Sequence, residues 1–166
     1  RGADIIDGGA GRDRVYGGEG DDYVVAGAGD YLHGGVHDAN GDTVQFAGSW
    51  RDYFVTVLND GFSLKHKNNQ QDEIQAFAFE NYDFSDVQGT NLVAGSGSTG
   101  TLEGTDRADV IIGRTGIDTI LAGSGNDAVD LLVQHGVDMD LAQRRIILDA
   151  AQEHRHALID QRLVDA

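Results

Sequence analysis

Single apolar side chains set nine residues apart, rather than a continuous apolar stripe, give this chain its rhythm. Ile6, Val15 and Val24 stand in phase near the start, and Ile111, Ile120 and Val129 keep the same interval near the end. Glycines and polar residues fill the space between them. One apolar residue framed by polar neighbours predicts a short strand with a single inward side chain, and the glycines before it, free to take positive φ, predict a tight turn. Each nine-residue unit is thus one turn plus one strand. Two units complete a coil, which stacks loops eighteen residues apart, as Asp4 is to Asp22 and Asp109 is to Asp127.

The middle of the chain follows a different pattern. From about Thr43 to Gln88 glycine is scarce, and Tyr53-Phe54-Val55-Thr56-Val57 and Phe62-Ser63-Leu64-Lys65-His66 flank Asn59-Asp60-Gly61. Alternation on both sides of an Asp-Gly pair predicts a β-hairpin. The stretch from Ile74 to Phe84 predicts one or two further strands. Together, residues 46–88 are read as a cap over the open end of a solenoid. A carbohydrate or ligand groove lined by Trp50, Tyr53 and Tyr82 is the competing reading, and a cell-surface or carbohydrate contact is the partner it would imply. Residues 89–103 hold a Gly-Ser-rich run and are read as a flexible linker. After Gly136 glycine is absent, and Ile147, Ala151, Leu158, Ile159 and Leu163 share a face at helical spacing. That spacing predicts an amphipathic helix within 137–166, which covers a hydrophobic edge or leads into another domain. The alternative takes Met139 to Leu141 and Arg145 to Leu148 as strands that continue or cap the second coil.

Written out, the unit is Gly-Gly-x-Gly-x-Asp-x-(apolar)-x. Two copies are clean, Gly8 to Tyr16 and Gly17 to Val25, and a truncated copy with Gly2, Asp4 and Ile6 precedes them. A copy one residue short runs from Ala26 to His33, and Gly34-Gly35 reaches Asn40-Gly41-Asp42-Thr43-Val44 only after an insertion. From Gly104 the phase restarts with Asp109, Asp118 and Asp127. The first block therefore spans 1–45 and the second, degenerate one 104–136. Arg1 stands in the middle of a repeat, so the chain is read as a piece of a longer protein.

Composition narrows the chemistry. A formal net charge of -16 with 28 acidic residues makes nucleic acid an unsuitable partner. Cysteine is absent, so disulfides cannot staple the fold, and no apolar run approaches a membrane span. There is no His-Glu-x-x-His motif, no phosphate loop and no nucleophile in a recognisable setting. His154 and His156 fall on different helix faces and read as solvated, while His33 and His37, near Asp38 and Asp42, offer at most adventitious metal contact. The chain is read as non-catalytic.

Energetics point to what the aspartates do. Burying one Val or Ile contributes roughly 1.5 to 3 kcal/mol, whereas ordering nine residues costs on the order of 1 to 2 kcal/mol each in backbone entropy. Backbone hydrogen bonds offset part of this gap, and stacked carboxylates widen it by repulsion. A divalent cation closes it. Calcium takes six to eight oxygen ligands and accepts carbonyls beside carboxylates, which a Gly-rich loop ending in Asp supplies; magnesium demands a stricter octahedron. Metal binding then becomes folding free energy.

These repeats resemble the repeats-in-toxin (RTX) nonapeptides of proteins exported by type I secretion from Gram-negative bacteria. The resemblance implies a mainly β fold: a parallel β-roll in two blocks, with the antiparallel capping element between them and the helix at the end. It also implies calcium held between neighbouring turns by the repeat aspartate and the loop carbonyls. Carried over, the ligands are Asp4, Asp13, Asp22, Asp109, Asp118 and Asp127, with carbonyls of Gly2, Gly9, Gly11, Gly18, Gly20, Gly123 and Gly125. Asp30 and Asp42, with Gly27 and Gly29, extend the set. Arg107 and Arg114 stand where the pattern has glycine, which sets the second block apart. The function expected is an extracellular calcium-binding structural module within a larger secreted or surface protein, folding once outside the cell. The alternatives are the export and folding tail of a secreted hydrolase, protease, peroxidase or toxin, and a carbohydrate-binding adhesin module.

Overall fold

The computed structural model describes residues 1–95, 99–113, 117–130, 145–147 and 158–159. They divide into two compact units, Arg1–Thr90 and Asn91–Ala166. In the first, the strands in chain order are β1 (Ile5–Asp7), β2 (Arg14–Glu19), β3 (Tyr23–Val25), β4 (Tyr31–Val36), β5 (Thr43–Gln45), β6 (Tyr53–Leu58), β7 (Gly61–His66), β8 (Asn69–Phe77) and β9 (Asn81–Asp83).

Consecutive repeat strands alternate between two sheets. One has the order β1-β3-β5-β9 and the other β2-β4-β8-β7-β6. All pairings among the repeat strands are parallel, with Ile6 beside Val24, Val24 beside Val44, and Val15 beside Leu32. Two nine-residue units therefore make one coil, as the spacing predicts. The short copy and the insertion are absorbed in the loops, so the apolar positions stay aligned: Val15, Val24, Leu32 and Val44 are all buried.

Strand β8 is where the roll changes character. It pairs parallel with β4 and antiparallel with β7, which in turn forms the predicted hairpin with β6, Leu58 opposite Gly61. Stability is concentrated here. Strands β2 to β5 each bury one aliphatic side chain, whereas the cap buries Phe46, Trp50, Tyr53, Tyr82 and Phe84, and aromatic side chains bury about 150 to 250 Å² each. Phe46 stacks on Phe84 at 5.1 Å between ring centroids and meets Tyr53 edge-on at 5.8 Å. Trp50, Tyr53 and Tyr82 are thus buried core residues of the cap and do not line an open groove. Asp86 fastens the end of the cap to its start, accepting from Ser49 Oγ at 2.6 Å, the Trp50 N–H at 3.3 Å and Arg51 at 3.2 Å.

The second unit comprises β10 (Asn91–Ala94), β11 (Thr99–Glu103), β12 (Asp109–Ile112), β13 (Ile117–Leu121), β14 (Ala128–Asp130), β15 (Arg145–Ile147) and β16 (Leu158–Ile159). They form two parallel sheets, β10-β12-β14-β16 and β11-β13-β15. Ile111, Ile120, Ala122 and Val129 make the core, with Val93 and Leu102 packed against it. The Gly-Ser-rich stretch 89–103 is therefore not simply a linker. It supplies β10 and β11, because Val93 and Leu102 hold the apolar phase of Ile111 and Ile120 one coil earlier.

The helix predicted within 137–166 falls mostly outside the described residues. The five residues described there are extended: β15 pairs with β13 and β16 with β14, both parallel. This matches the strand alternative for Arg145 to Leu148. Among the described residues no helix is long and apolar enough to cross a membrane.

Candidate metal centre

The repeat aspartates stand in columns. Asp4, Asp13, Asp22, Asp30 and Asp42 each sit one residue before a strand and Asp109 opens one, so the backbone N–H faces the next coil while the side chain faces the preceding one. The Asp4 N–H donates to Asp22 Oδ1 at 2.9 Å and the Asp22 N–H to Asp42 Oδ1 at 2.8 Å. In the other column the Asp13 N–H donates to Asp30 Oδ1 at 2.9 Å, and in the second unit the Asp109 N–H donates to Asp127 Oδ1 at 3.2 Å. Backbone bonds run back the other way, from Tyr23 to the Asp4 carbonyl at 2.8 Å and from Thr43 to the Asp22 carbonyl at 2.7 Å.

This ladder uses one carboxylate oxygen and leaves the other. Oδ2 of Asp13, Asp22 and Asp42 is buried with no hydrogen-bond partner. Asp22 is 1% exposed and Asp42 0%. A buried acceptor without a partner costs about 1 to 3 kcal/mol, more when charged, so these three atoms need an electropositive neighbour.

A carbonyl oxygen stands beside the orphaned Asp22 oxygen, and other loop carbonyls face the neighbouring coil. A Cβ on Gly17 would stand 2.4 Å from Asp22 Oδ2 and 2.4 Å from the Gly34 carbonyl of the next coil. The Gly18 carbonyl faces Gly35, 2.2 Å from where its Cβ would be, and the Gly2 and Gly9 carbonyls face Gly20 and Gly27 at 2.6 and 3.1 Å. Gly35 also has φ of 127°, so a side chain there is barred twice over. At Asp13, Asp22 and Asp42 the turns thus leave one carboxylate oxygen each, and neighbouring turns present carbonyls. Among the described residues no three His, Cys, Asp or Glu side chains gather into a metal-binding cluster. An ion held here draws on backbone oxygen as well as carboxylate, an all-oxygen set of irregular geometry that fits calcium.

Residues 1–32 and 103–132 match the model of the RTX calcium-binding nonapeptide repeat, in four copies. The chain carries RTX repeats. Such repeats bind calcium, and the β-roll described above is the fold they form here. No curated protein matches the chain. Among solved structures it is similar to the extracellular lipase LipA from Serratia marcescens, at 17% identity and a TM-score of 0.42. That likeness covers 78% of this chain and 26% of the lipase chain, so the chain spans about a quarter of that protein's length.

The RTX turns are not equivalent. Asp4 is exposed, and Asp13 is half-buried beside Gly8 and Gly11. Asp30 has both oxygens engaged, Oδ1 by the Asp13 N–H and Oδ2 by the Gly27 N–H at 2.8 Å. The Arg12 side chain packs on Gly29, 2.7 Å from where a Cβ would be. In the second unit Asp109 is satisfied without an ion: Thr105 N–H donates to Oδ2 at 2.7 Å, Thr105 Oγ1 approaches Oδ1 at 3.1 Å, and Asn91 Nδ2 donates to Oδ1 at 3.1 Å. The Asp118 side chain lies outside the described residues. Gly123 and Gly125 face the carbonyls of Thr105 and Arg107, at 2.1 and 2.3 Å from where a Cβ would stand. An arginine in a glycine position therefore still presents its carbonyl to the next coil.

Four participants carry no repeat signature. Thr105 and Asn91 hydrogen-bond Asp109, and Glu80 and Ala78 continue the Asp42 column. Counting back eighteen residues from Asp109 reaches Asn91, the signal that marks this coil as part of the roll. Asp21, beside the repeat aspartate, organises the insertion, accepting from the N–H groups of Asp38, Asn40 and Gly41. Desolvation opposes its charge, but these bonds outweigh it and hold the Asp21 carboxyl below its ordinary range. Burial, with repulsion from Asp22 and Glu80, pushes Asp42 up. His37 is raised by its bond to the Asp38 carbonyl and by Glu80, 3.5 Å away.

Proposed function

We propose that this chain is a calcium-folded structural module of a larger exported bacterial protein, disordered at low calcium and folded outside the cell after type I secretion. The observation that carries this reading is the pair of buried, partnerless oxygens, Asp22 Oδ2 and Asp42 Oδ2, each beside a carbonyl of the next coil. Asp13, Asp22 and Asp42 would hold ions together with the carbonyls of Gly2, Gly9, Gly18 and Gly34. A bound ion supplies the positive charge that neutralises the stacked carboxylates. Without it, a net charge of -16 and one apolar side chain per repeat favour the unfolded chain. That state suits passage through a narrow conduit, and outside the cell calcium drives folding. The cap, with its aromatic core, supplies the apolar burial on which the repeat coils stack.

Small-angle scattering tests the reading. In excess chelator the radius of gyration approaches the roughly 43 Å of an unfolded chain of this length, and calcium reduces it well below that value. Equal radii in chelator and calcium overturn the proposal.

A further inference from the structure

The last coil of the first unit is closed by Ala78-Phe79-Glu80, which contains no glycine and no aspartate. Its placement nonetheless reproduces a repeat turn. The Gly34 carbonyl lies 2.4 Å from where a Gly17 Cβ would stand, and the Ala78 carbonyl lies 2.2 Å from where a Gly34 Cβ would stand. Ala78 is thus to Gly34 what Gly34 is to Gly17. Glu80 likewise takes the place of the next aspartate: the Asp42 N–H donates to Glu80 Oε2 at 2.8 Å, and the Asn81 N–H donates to the Asp42 carbonyl at 3.0 Å.

Two further observations bear on this turn. Asp42 Oδ2 has no partner, its residue is 0% exposed, and it points at the same face of Gly34 as the Ala78 carbonyl, 2.6 Å from the Cβ position. Ala78 holds φ of 52°, unique among the described non-glycine residues, a conformation unfavourable to an L-residue. In this conformation its carbonyl is turned toward the preceding coil.

We propose that Ala78 and Glu80 complete a further calcium site with Asp42, the cap supplying the half that a repeat turn supplies elsewhere. Asp42 Oδ2, the Ala78 carbonyl and the Glu80 carboxylate are its donors. The site rests on the calcium reading above and adds to it a mechanical role. Asn81 and Tyr82 follow directly in β9, which pairs with β5, and Tyr82 belongs to the aromatic core. An ion at Glu80 therefore couples seating of the cap to the same signal that folds the repeats.

The test is E80Q in the full chain, since glutamine keeps an acceptor for the Asp42 N–H and removes only the charge. Bound calcium is counted by native mass spectrometry, and cap seating is followed by Trp50 emission during calcium titration. E80Q is expected to bind one ion fewer than the parent chain and to need roughly tenfold more calcium for the Trp50 change, with E80D restoring both. An unchanged count and midpoint in E80Q overturn the site while leaving the repeat sites standing. Failure of both E80Q and E80D to gain β-structure in saturating calcium also overturns it, because Glu80 is then a folding residue only. A parent chain that binds no calcium removes this proposal and the broader one together.

Discussion

Replacing Asp22 with asparagine should change stability in opposite directions with and without calcium. The residue is 1% exposed; Oδ1 accepts the Asp4 N–H at 2.9 Å, and Oδ2, without a partner, lies against Gly17 beside the Gly34 carbonyl. Asparagine keeps the first bond through its own Oδ1 and places an N–H donor where the orphaned oxygen was. In chelator this removes an unsatisfied buried acceptor and a charge, which stabilises the roll by about 1 to 3 kcal/mol. In calcium the same change deletes a ligand, and losing one ion held at a hundredfold above its Kd removes about 2.7 kcal/mol. The difference between the two conditions is therefore about 4 to 6 kcal/mol. Urea unfolding followed by Trp50 emission measures it, with an excluded osmolyte added to both chains so that the calcium-free form has a folded baseline. Equal destabilisation of D22N in both conditions would refute the reasoning, because Asp22 would then serve the fold and not the ion.

Other consequences follow from single positions. Gly17→Ala drives a Cβ into Asp22 Oδ2 and the Gly34 carbonyl, whereas Gly100→Ala meets nothing within 4 Å; the first should cost about 1 to 3 kcal/mol in calcium and the second nothing or a gain, by urea midpoint. Thr105→Val removes the hydroxyl that approaches Asp109 and should destabilise the second unit by about 1 kcal/mol, seen as faster hydrogen exchange around Asp109. Asp42 is raised above 3.8 and His37 above 6.5 in the fold, so each contributes stability that is complete below its unfolded value and lost as pH rises through its folded one. The calcium-free chain should therefore gain β-structure on mild acidification by circular dichroism, while the calcium midpoint rises as protons compete for the ligands. Asp21 and Glu73, both lowered, work the other way and lose their contributions only further into acid.

The roll of the first unit was legible because its apolar residue and its aspartate keep one phase, from Asp4 and Ile6 through Asp22 and Val24. A one-residue deletion before Asp30 and an insertion before Asp42 left that phase readable, since loops absorb both. The start of the second roll was hidden for a chemical reason: Asn91 and Gly100 replace aspartate, so the stretch resembles a flexible linker although Val93 and Leu102 keep their places in the core. Glu80 was hidden by distance, because the hairpin separates it from Asp42 by 38 residues. Trp50, Tyr53 and Tyr82 mark a small core and a binding groove equally well in a sequence, and only their burial decides between the two. Thr105 could not have been assigned to Asp109 from spacing, since its role depends on where a hydroxyl points.

Calcium titration of the metal-stripped chain tests the central claim most directly, with far-UV circular dichroism and Trp50 emission as readouts and magnesium at equal concentration as control. The account predicts little β-structure in chelator, a cooperative gain with calcium as Trp50 is buried, and no such gain with magnesium. A stripped chain already β-rich, with spectra that calcium leaves unchanged, would contradict it and make the roll a metal-independent solenoid.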